Sequence, residues 1–524
     1  MVKFNKIKLY YYTLRDLKLS QFFFFLKFFF IKYKFFEEKH TDIKKFCKKK
    51  KKINFIEDVN DYKKIIFHKK FSNLKKFERQ NNDLQKFNLF YLNHILNKNL
   101  SIKKKQANIK KFYEYSLINR NSIAWHPYPT SLRLMNLIKF KYVYNINSKF
   151  IDNFIYSHFS HLKKNLEYNL GANHLLTNVI ALNKFFTICL HKTKKIKEEE
   201  EKYRNELDEI LNYQFNLNFH YENSPKYHLF LIKLILDLEI LKKVVGKKND
   251  KKNIMLIKYG ITFINNISHP DNILPFFNDT NKNHLNLKEV KKSFKDNFGN
   301  LEKIKIKNFI FPVIYNKKFK LITKCSEPNP KYNPGHTNGD NLSFELSILN
   351  KRILTGRGIS TYENNNDRKN QRSSSNHNTI EIDNLSANEV WKSFRVARKS
   401  KILNLKISNN SINAQCLGYF SGSNFSTHKR KWILNNKSLE IIDNVKNKDF
   451  KIHFNFSPET KVKYIKKFNY YSIKNGNVDA KISFESRKHS LKEINYYEDF
   501  ENIKKSFCIE IISKDNCKTL INLI

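Results

Sequence analysis

The sequence lacks the residue patterns that define several large enzyme classes. Its six cysteines are scattered through 524 residues without CxxC spacing, so neither a zinc module nor a disulfide framework is indicated. It also lacks GxSxG, HExxH and a glycine-rich phosphate-binding loop, the marks of serine hydrolases, zinc peptidases and nucleotide-binding proteins. Any chemistry must come from other side chains.

A hydrophobic run long enough to span a bilayer is also missing. The best candidate, QFFFFLKFFFI at 21–31, is interrupted by Lys27, and no alanine or glycine before Ala107 provides a signal-peptide cleavage site. We therefore interpret the run as a buried amphipathic segment and expect no transmembrane segment. Export by another route stays open.

Acidic residues are scarce. Lys and Arg number 98 against 48 Asp and Glu, a formal net charge of +50, which would attract polyanions. Lys, Asn, Ile, Phe and Tyr are all abundant, however, as expected from an AT-rich genome, and no nucleic-acid motif is visible. We expect no nucleic-acid partner, and keep general polyanion binding as an alternative.

The hydrophobic period changes once along the chain. From about 115 to 310 apolar residues recur at three- and four-residue steps, as in HLLTNVIALNKFF, which predicts stacked helical hairpins. Beyond about 315 the period is two, as in KIHFNFS, which predicts strands. Helices followed by strands predict an α+β multidomain protein, with a basic, mostly helical region at 1–110 before the main helical domain.

Four polar clusters are candidates for chemistry: GANH (171–174), NFHYENSPKYH (218–228), GHTNGD (335–340) and RSSSNHNTIEID (372–383). They offer neutral hydrogen-bonding groups and a phenol but few paired carboxylates, which argues against ordinary glycoside hydrolysis. Such a set suits proton abstraction next to a carboxylate. The polar segment 362–378 would, taken alone, be a disordered loop.

These clusters, with WHPYPTSLRLMNLIKF before them and ANEVWKSFRVARK after them, resemble the successive motifs of the heparinase II/III-like polysaccharide lyases. The resemblance implies an incomplete (α/α) toroid at 111–312 and an antiparallel β-sandwich at 313–524. It also implies cleavage of an acidic, uronate-containing polysaccharide by β-elimination.

The resemblance places four catalytic residues at Asn173, His174, Tyr227 and His336. It implies that Asn173 and His174 bind the uronate carboxylate and stabilise the charge developing there. Tyr227 and His336 are then base and acid, with Tyr227 able to fill both roles. His228 and Glu222 are expected to support the helix and the loop around the tyrosine and not to act as catalysts.

Three arginines near the fourth cluster are candidates for substrate binding. Guanidinium groups pair with carboxylates and sulfates in bidentate fashion, so Arg372, Arg395 and Arg398 could clamp acidic sugars. Surface charge on strands is the alternative interpretation.

The chain departs from the family at positions that bind zinc or calcium in metal-containing relatives. Asn338 replaces the second histidine of GHxHxD, and Gly356 stands where an acidic ligand is expected, which leaves only His377. Because a zinc site needs three or four ligands, we predict no metal cofactor, with Asn338 hydrogen-bonded to its loop.

Substrate identity and oligomeric state are not specified by the sequence. The resemblance favours the cell envelope or periplasm, whereas the lack of a clear signal peptide leaves the cytoplasm as an alternative. A carbohydrate-binding or carbohydrate-processing protein of surface polysaccharide metabolism that is not a lyase is the main competing function.

Overall fold

The computed structural model describes residues 2–30, 33–36, 46–51, 55, 82–190, 193–282, 285–301, 304, 306 and 308–524. Helices precede strands along the chain, as the change in hydrophobic period predicts. Much of the predicted basic region 1–110 lies outside the described residues.

The described N-terminal part contains eleven α-helices. They are α1 Val2–Leu14, α2 Leu19–Phe30, α3 Asp83–Phe90, α4 Ile102–Ile118, α5 Pro127–Val143, α6 Lys149–Lys164, α7 Ala172–Ile188, α8 Lys194–Gln214, α9 Pro225–Val245, α10 Lys251–Ile267 and α11 Leu287–Phe298. The local sequence determines where several of these helices begin. Proline occupies the first turn of α5 and α9, where its missing N–H costs nothing.

The helices pack in an inner and an outer row. Inner helices α5, α7 and α9 contact one another and are buried almost all round, whereas α6, α8 and α10 pack against them from outside. Helix α8 buries only Tyr203, Leu207, Leu211 and Gln214, so it is the exposed amphipathic helix that its charge pattern indicates. This two-layer arrangement is the incomplete helical toroid.

The C-terminal part, described without gaps from residue 308, contains sixteen strands. They are β1 Val313–Tyr315, β2 Phe319–Thr323, β3 Phe344–Ile348, β4 Lys351–Leu354, β5 Ile380–Ile382, β6 Val390–Trp391, β7 Arg395–Val396, β8 Lys401–Ile407, β9 Ser411–Ser421, β10 Asn424–Leu434, β11 Ser438–Asn455, β12 Lys461–Ile465, β13 Tyr470–Asn475, β14 Val478–Phe484, β15 Lys488–Tyr497 and β16 Ile503–Leu523.

Two antiparallel sheets form the predicted sandwich. The smaller has the order β1-β2-β3-β4, and the larger runs β12-β13-β14-β16-β11-β10-β9-β8, with β15 on β16 and β5 on β11. Their inner faces share one core, in which the rings of Phe344 and Trp432 lie 6.4 Å apart. The NNKS turn joins β10 to β11, with Asn435 N donating to Ser438 O, so the predicted hairpin is confirmed.

Helix α1 packs across the β6–β7 hairpin of the sandwich. The indole of Trp391 donates to Thr13 Oγ1 at 3.0 Å and meets the Tyr10 ring edge-on at 4.9 Å. Lys399 forms an ion pair with Asp16 just beyond the helix. The N-terminal segment is thus tied to the C-terminal domain.

Helix α2 corrects one prediction. The interpretation of 21–31 as buried holds for Gln21, which is 2% exposed, but is wrong for Phe22, Phe23 and Leu26, which are 54, 67 and 44% exposed. The repeat of apolar residues gives α2 an apolar face, but no described part of the chain covers these three side chains. None of the helices in the described residues has the length and apolar character needed to cross a membrane.

The polar segment 362–378 is ordered, which corrects the expectation of a loop without structure. It contains a short helix, α12 (Asn366–Gln371), started by Asn365 accepting from Arg368 N. Gln371 bonds to Ser360, and Arg368 is fully buried. Contacts to other parts of the chain order this segment, and composition alone does not reveal them.

Candidate functional site

Asn173 and His174 lie at the start of α7, where a tight turn enters the helix. Gly171 has φ +62°, and a Cβ there would lie 3.0 Å from the Tyr332 hydroxyl, so the first motif needs glycine. Asn173 is buried, and its Nδ2 donates to both carboxylate oxygens of Glu222, at 3.2 and 2.9 Å. Glu222 thereby fixes the amide, a supporting role as predicted.

His174 is held by a second carboxylate. Its Nδ1 lies 3.1 Å from Glu167 Oε1, and its ring packs 4.4 Å from that of Tyr128. Burial alone would lower the pKa of His174, but Glu167 and, more weakly, Glu222 raise it above its ordinary value. The protonated imidazole is a suitable partner for an anionic group.

Tyr227, in the first turn of α9, meets His336 from the loop between β2 and β3. Their rings stack with centroids 4.0 Å apart and an interplanar angle of 26°. His336 Nε2 lies 3.5 Å from Asn173 Nδ2. The Tyr227 hydroxyl is 3.2 Å from that of Tyr362, in the loop after β4. The sandwich therefore supplies an imidazole and a phenol to a site begun by the helices.

A buried ion pair lies behind His336. Its Nδ1 is 3.0 Å from Asp279 Oδ2, and Asp279 also binds Arg368 through two bonds of 2.7 and 2.6 Å. Burial alone would raise the pKa of Asp279, but Arg368 and His336 hold it well below its usual range. Asp279 is therefore an anion at neutral pH.

These side chains open onto one cavity of about 710 Å³ between the helical domain and the sandwich. Asn173, His174, Tyr227 and His336 all line it, joined by Glu222 and Tyr362. The lining also holds four basic side chains, Lys226, Lys233, Lys392 and Arg395, of which Lys233 is paired with Asp237, and three acidic ones, Asp83, Glu222 and Glu363. The basic groups beside the candidate residues can attract an anionic ligand into this concave site.

The three candidate arginines differ in placement. Arg395 lines the cavity. Arg372 is fully buried, and its guanidinium donates to backbone carbonyls that include those of Thr337 and Lys392. Arg398 pairs with Glu389 at 2.7 and 2.8 Å and does not line the cavity. Only Arg395 is placed to contact a ligand there.

Comparison with family profiles shows to which protein family the chain is related. The profile of the heparinase II/III N-terminus matches residues 31–306, and that of the heparinase II/III-like C-terminal domain matches residues 307–517. The chain belongs to the heparinase II/III family. The relationship predicted from the ordered motifs is confirmed. No curated protein matches the sequence.

Solved structures of this family share the fold. A heparinase III aligns with TM-score 0.63 at 15% identity, covering 84% of this chain and 76% of its own. Heparan sulfate lyase HepC from Pedobacter heparinus gives 0.54 at 16%, covering 84 and 77%. A second heparinase III gives 0.59 at 19%, covering 90 and 81%. These likenesses establish the toroid-and-sandwich fold for the chain.

The metal positions of the heparinase II/III family hold poor ligands here. A Cβ at Gly356 would lie 2.7 Å from Phe276 O, which leaves no room for an acidic side chain. Asp340 is already paired with the buried Lys324 at 2.5 Å. His377 is buried with no hydrogen-bond partner among the described residues, and the searched part of the chain has no cluster of three metal-ligating side chains. This donor set does not fit zinc or calcium.

The prediction that the Asn338 side chain bonds to its loop is wrong. The backbone N–H of Asn338 reaches Asn278 Oδ1 at 3.3 Å, but neither polar atom of its buried side chain has a partner in the described chain. The side chain therefore does not bond to the loop as predicted. His228 accepts from His220 N and lies 3.0 Å from Gly260 O, so it joins the loop before α9 to helix α10.

Sequence reasoning missed Tyr362, Asp279 and Arg368. Tyr362 and Arg368 belong to the segment interpreted as disordered, and Asp279 lies in an NDTN stretch without apolar periodicity. Their partners are 57 to 135 residues away along the chain. The one available signal was an unusually polar segment located between two motifs.

Proposed function

We propose that this protein cleaves a uronate-containing acidic polysaccharide by β-elimination. The main observation behind this proposal is that residues from two domains line one cavity that also holds basic side chains. These residues are Asn173, His174, Tyr227 and His336. Membership of the heparinase II/III family supports the same reaction.

Two of the four residues stabilise charge in this reaction, and the other two transfer protons. Asn173 and the cationic His174 bind the uronate carboxylate, which takes up negative charge as the neighbouring C5 proton leaves. Tyr227 removes that proton, and the freed electron pair forms the C4–C5 double bond. The C4–O bond breaks, and His336 protonates the departing oxygen through Nε2.

We also propose that the reaction needs no metal, since the site residues supply both the charge and the proton donor. A protein that binds or otherwise processes acidic glycan without elimination is the second candidate, favoured only by the basic side chains of the cavity.

The test is the ultraviolet absorbance of unsaturated uronate products during incubation with a panel of uronic-acid polysaccharides. We expect Tyr227→Phe to lower kcat by about 10²–10⁴-fold, the usual contribution of general acid–base catalysis. Tyr471→Phe is the matched control, because it removes a buried phenol that bonds to His489 in the sandwich, outside the cavity. Absence of product from every polysaccharide would contradict elimination and favour the binding role.

A further inference from the structure

The Nδ1 nitrogen of His336, on the side away from the cavity, is bonded to a buried carboxylate. Nδ1 lies 3.0 Å from Asp279 Oδ2, and Asp279 is fully buried. Since the pKa of Asp279 is held low by Arg368 and His336 against the effect of burial, this carboxylate can only accept. Nδ1 must therefore carry a proton, and Nε2 is the nitrogen left to exchange one.

Nε2 lies on the cavity side of the ring. It is 3.5 Å from Asn173 Nδ2 and 4.0 Å from Glu222 Oε1, and the ring stacks on Tyr227. The His336 side chain is 10% exposed. The groups around it are thus Asp279 behind, Glu222 in front, and the phenols of Tyr227 and Tyr362 beside it.

Arg368 connects the two halves of this arrangement. Its guanidinium binds both oxygens of Asp279, donates to Ser393 O at 2.9 and 3.0 Å, and lies 4.9 Å from the centre of the Tyr362 ring. Tyr362 in turn contacts the Tyr227 hydroxyl. One buried cation therefore holds both the carboxylate behind His336 and the phenol beside Tyr227.

We propose that Asp279 and Arg368 are positioning residues, which fix the imidazole of His336 with Nδ1 protonated and Nε2 facing the substrate. This inference rests on the proposed function. Neither residue touches the reacting atoms.

The chain contains a second trio of the same composition, which serves as a control. Asp443 binds Arg430 at 2.6 and 3.0 Å and His428 Nε2 at 2.6 Å, and all three are fully buried in the sandwich. Its histidine does not line the cavity described above. The same molecule thus contains a trio of this composition whose role is purely structural.

The experiment compares Asp279→Asn with Asp443→Asn in the full chain. For Asp279→Asn we expect kcat to fall about 100-fold while KM changes by less than about twofold. The loss of the anion disfavours protonated His336, so the limb of the pH–rate profile that reports this imidazole should move to lower pH. Asp443→Asn should leave the profile in place.

A second readout does not depend on lyase activity. Diethyl pyrocarbonate modifies unprotonated imidazole, and mass spectrometry reports the modification rate at His336. The pH of half-maximal rate should fall by about one unit in Asp279→Asn. If the wild type eliminates no substrate, the proposed function fails while this measurement still tests the positioning.

A charge-balanced variant covers the case in which Asp279→Asn does not fold. Asp279→Asn with Arg368→Met removes the buried ion pair as a whole and should shift the modification rate in the same direction by a smaller amount. The proposal is overturned if neither Asp279 variant shifts the pH–rate profile or the modification rate, or if Asp443→Asn shifts them equally.

Discussion

Arg395 and Arg398 are separated by two residues, yet their surroundings differ. Arg395 lies in the cavity wall, whereas Arg398 is bonded to Glu389 and to Gly422 O. Both were assigned the same candidate role, because two arginines so close along the chain show no difference in their partners. The ion pair with Glu389 explains why Arg398 is not available to a ligand. Only the folded β6–β7 hairpin brings Glu389 next to Arg398.

This difference predicts different kinetics. Arg395→Ala should raise KM for an acidic polysaccharide about tenfold, the effect of losing about 1.4 kcal/mol of binding free energy, with kcat nearly unchanged. Arg398→Ala should leave KM within about twofold. Initial rates over a range of substrate concentrations test both, and equal effects from the two substitutions would contradict the placement.

Elements that depend on local pattern were predictable, and those that depend on distant partners were not. The inner helices, the β10–β11 hairpin and the residues Asn173, His174, Tyr227 and His336 could be named from periodicity and motifs. Helix α12 and the exposure of α2 could not. Periodicity shows that a face is apolar without showing what covers it, and a polar composition hides the buried bonds of Arg368.

The loop before β3 and Gly356 after β4 carry the prediction on metals. Because Gly356 leaves no room for an acidic ligand and Lys324 neutralises Asp340, a chelator should change neither the activity nor the melting temperature. A bound metal would stabilise the folded state by mass action, so a fall in melting temperature after chelation, reversed by zinc or calcium, would contradict it. Thermal unfolding monitored by circular dichroism provides the measurement.

Buried carboxylates paired with cations occur in every part of the molecule. Asp237 lies among Lys139 and Lys233 in the helical core, Asp279 lies behind the cavity, and Asp443 lies in the sandwich. Burial alone would raise the pKa of each, but the neighbouring cations lower all three pKa values. The stability they contribute is complete above the unfolded pKa of 3.8 and is lost as pH falls below it.

The whole molecule should therefore lose stability in acid. Asp443→Asn should cost about 3–5 kcal/mol of unfolding free energy near pH 7, because it leaves Arg430 buried without its partner. The gap between wild type and variant should narrow as pH falls below about 4, because the carboxylate then gains a proton in the unfolded wild type that the folded protein binds only at lower pH. Denaturant unfolding at several pH values measures this, and a gap independent of pH would contradict the pairing.

Helix α1 docks onto residues made very late in synthesis. Its Thr13 contact with Trp391 joins positions 378 apart, and Asp16 meets Lys399 383 residues further on. At ribosomal rates of about 5–20 residues per second, α1 waits roughly 20 to 80 s for its docking surface. The contact can form only after the helical domain and half of the sandwich have left the ribosome, so its closure reports that nascent-chain folding has reached the second domain.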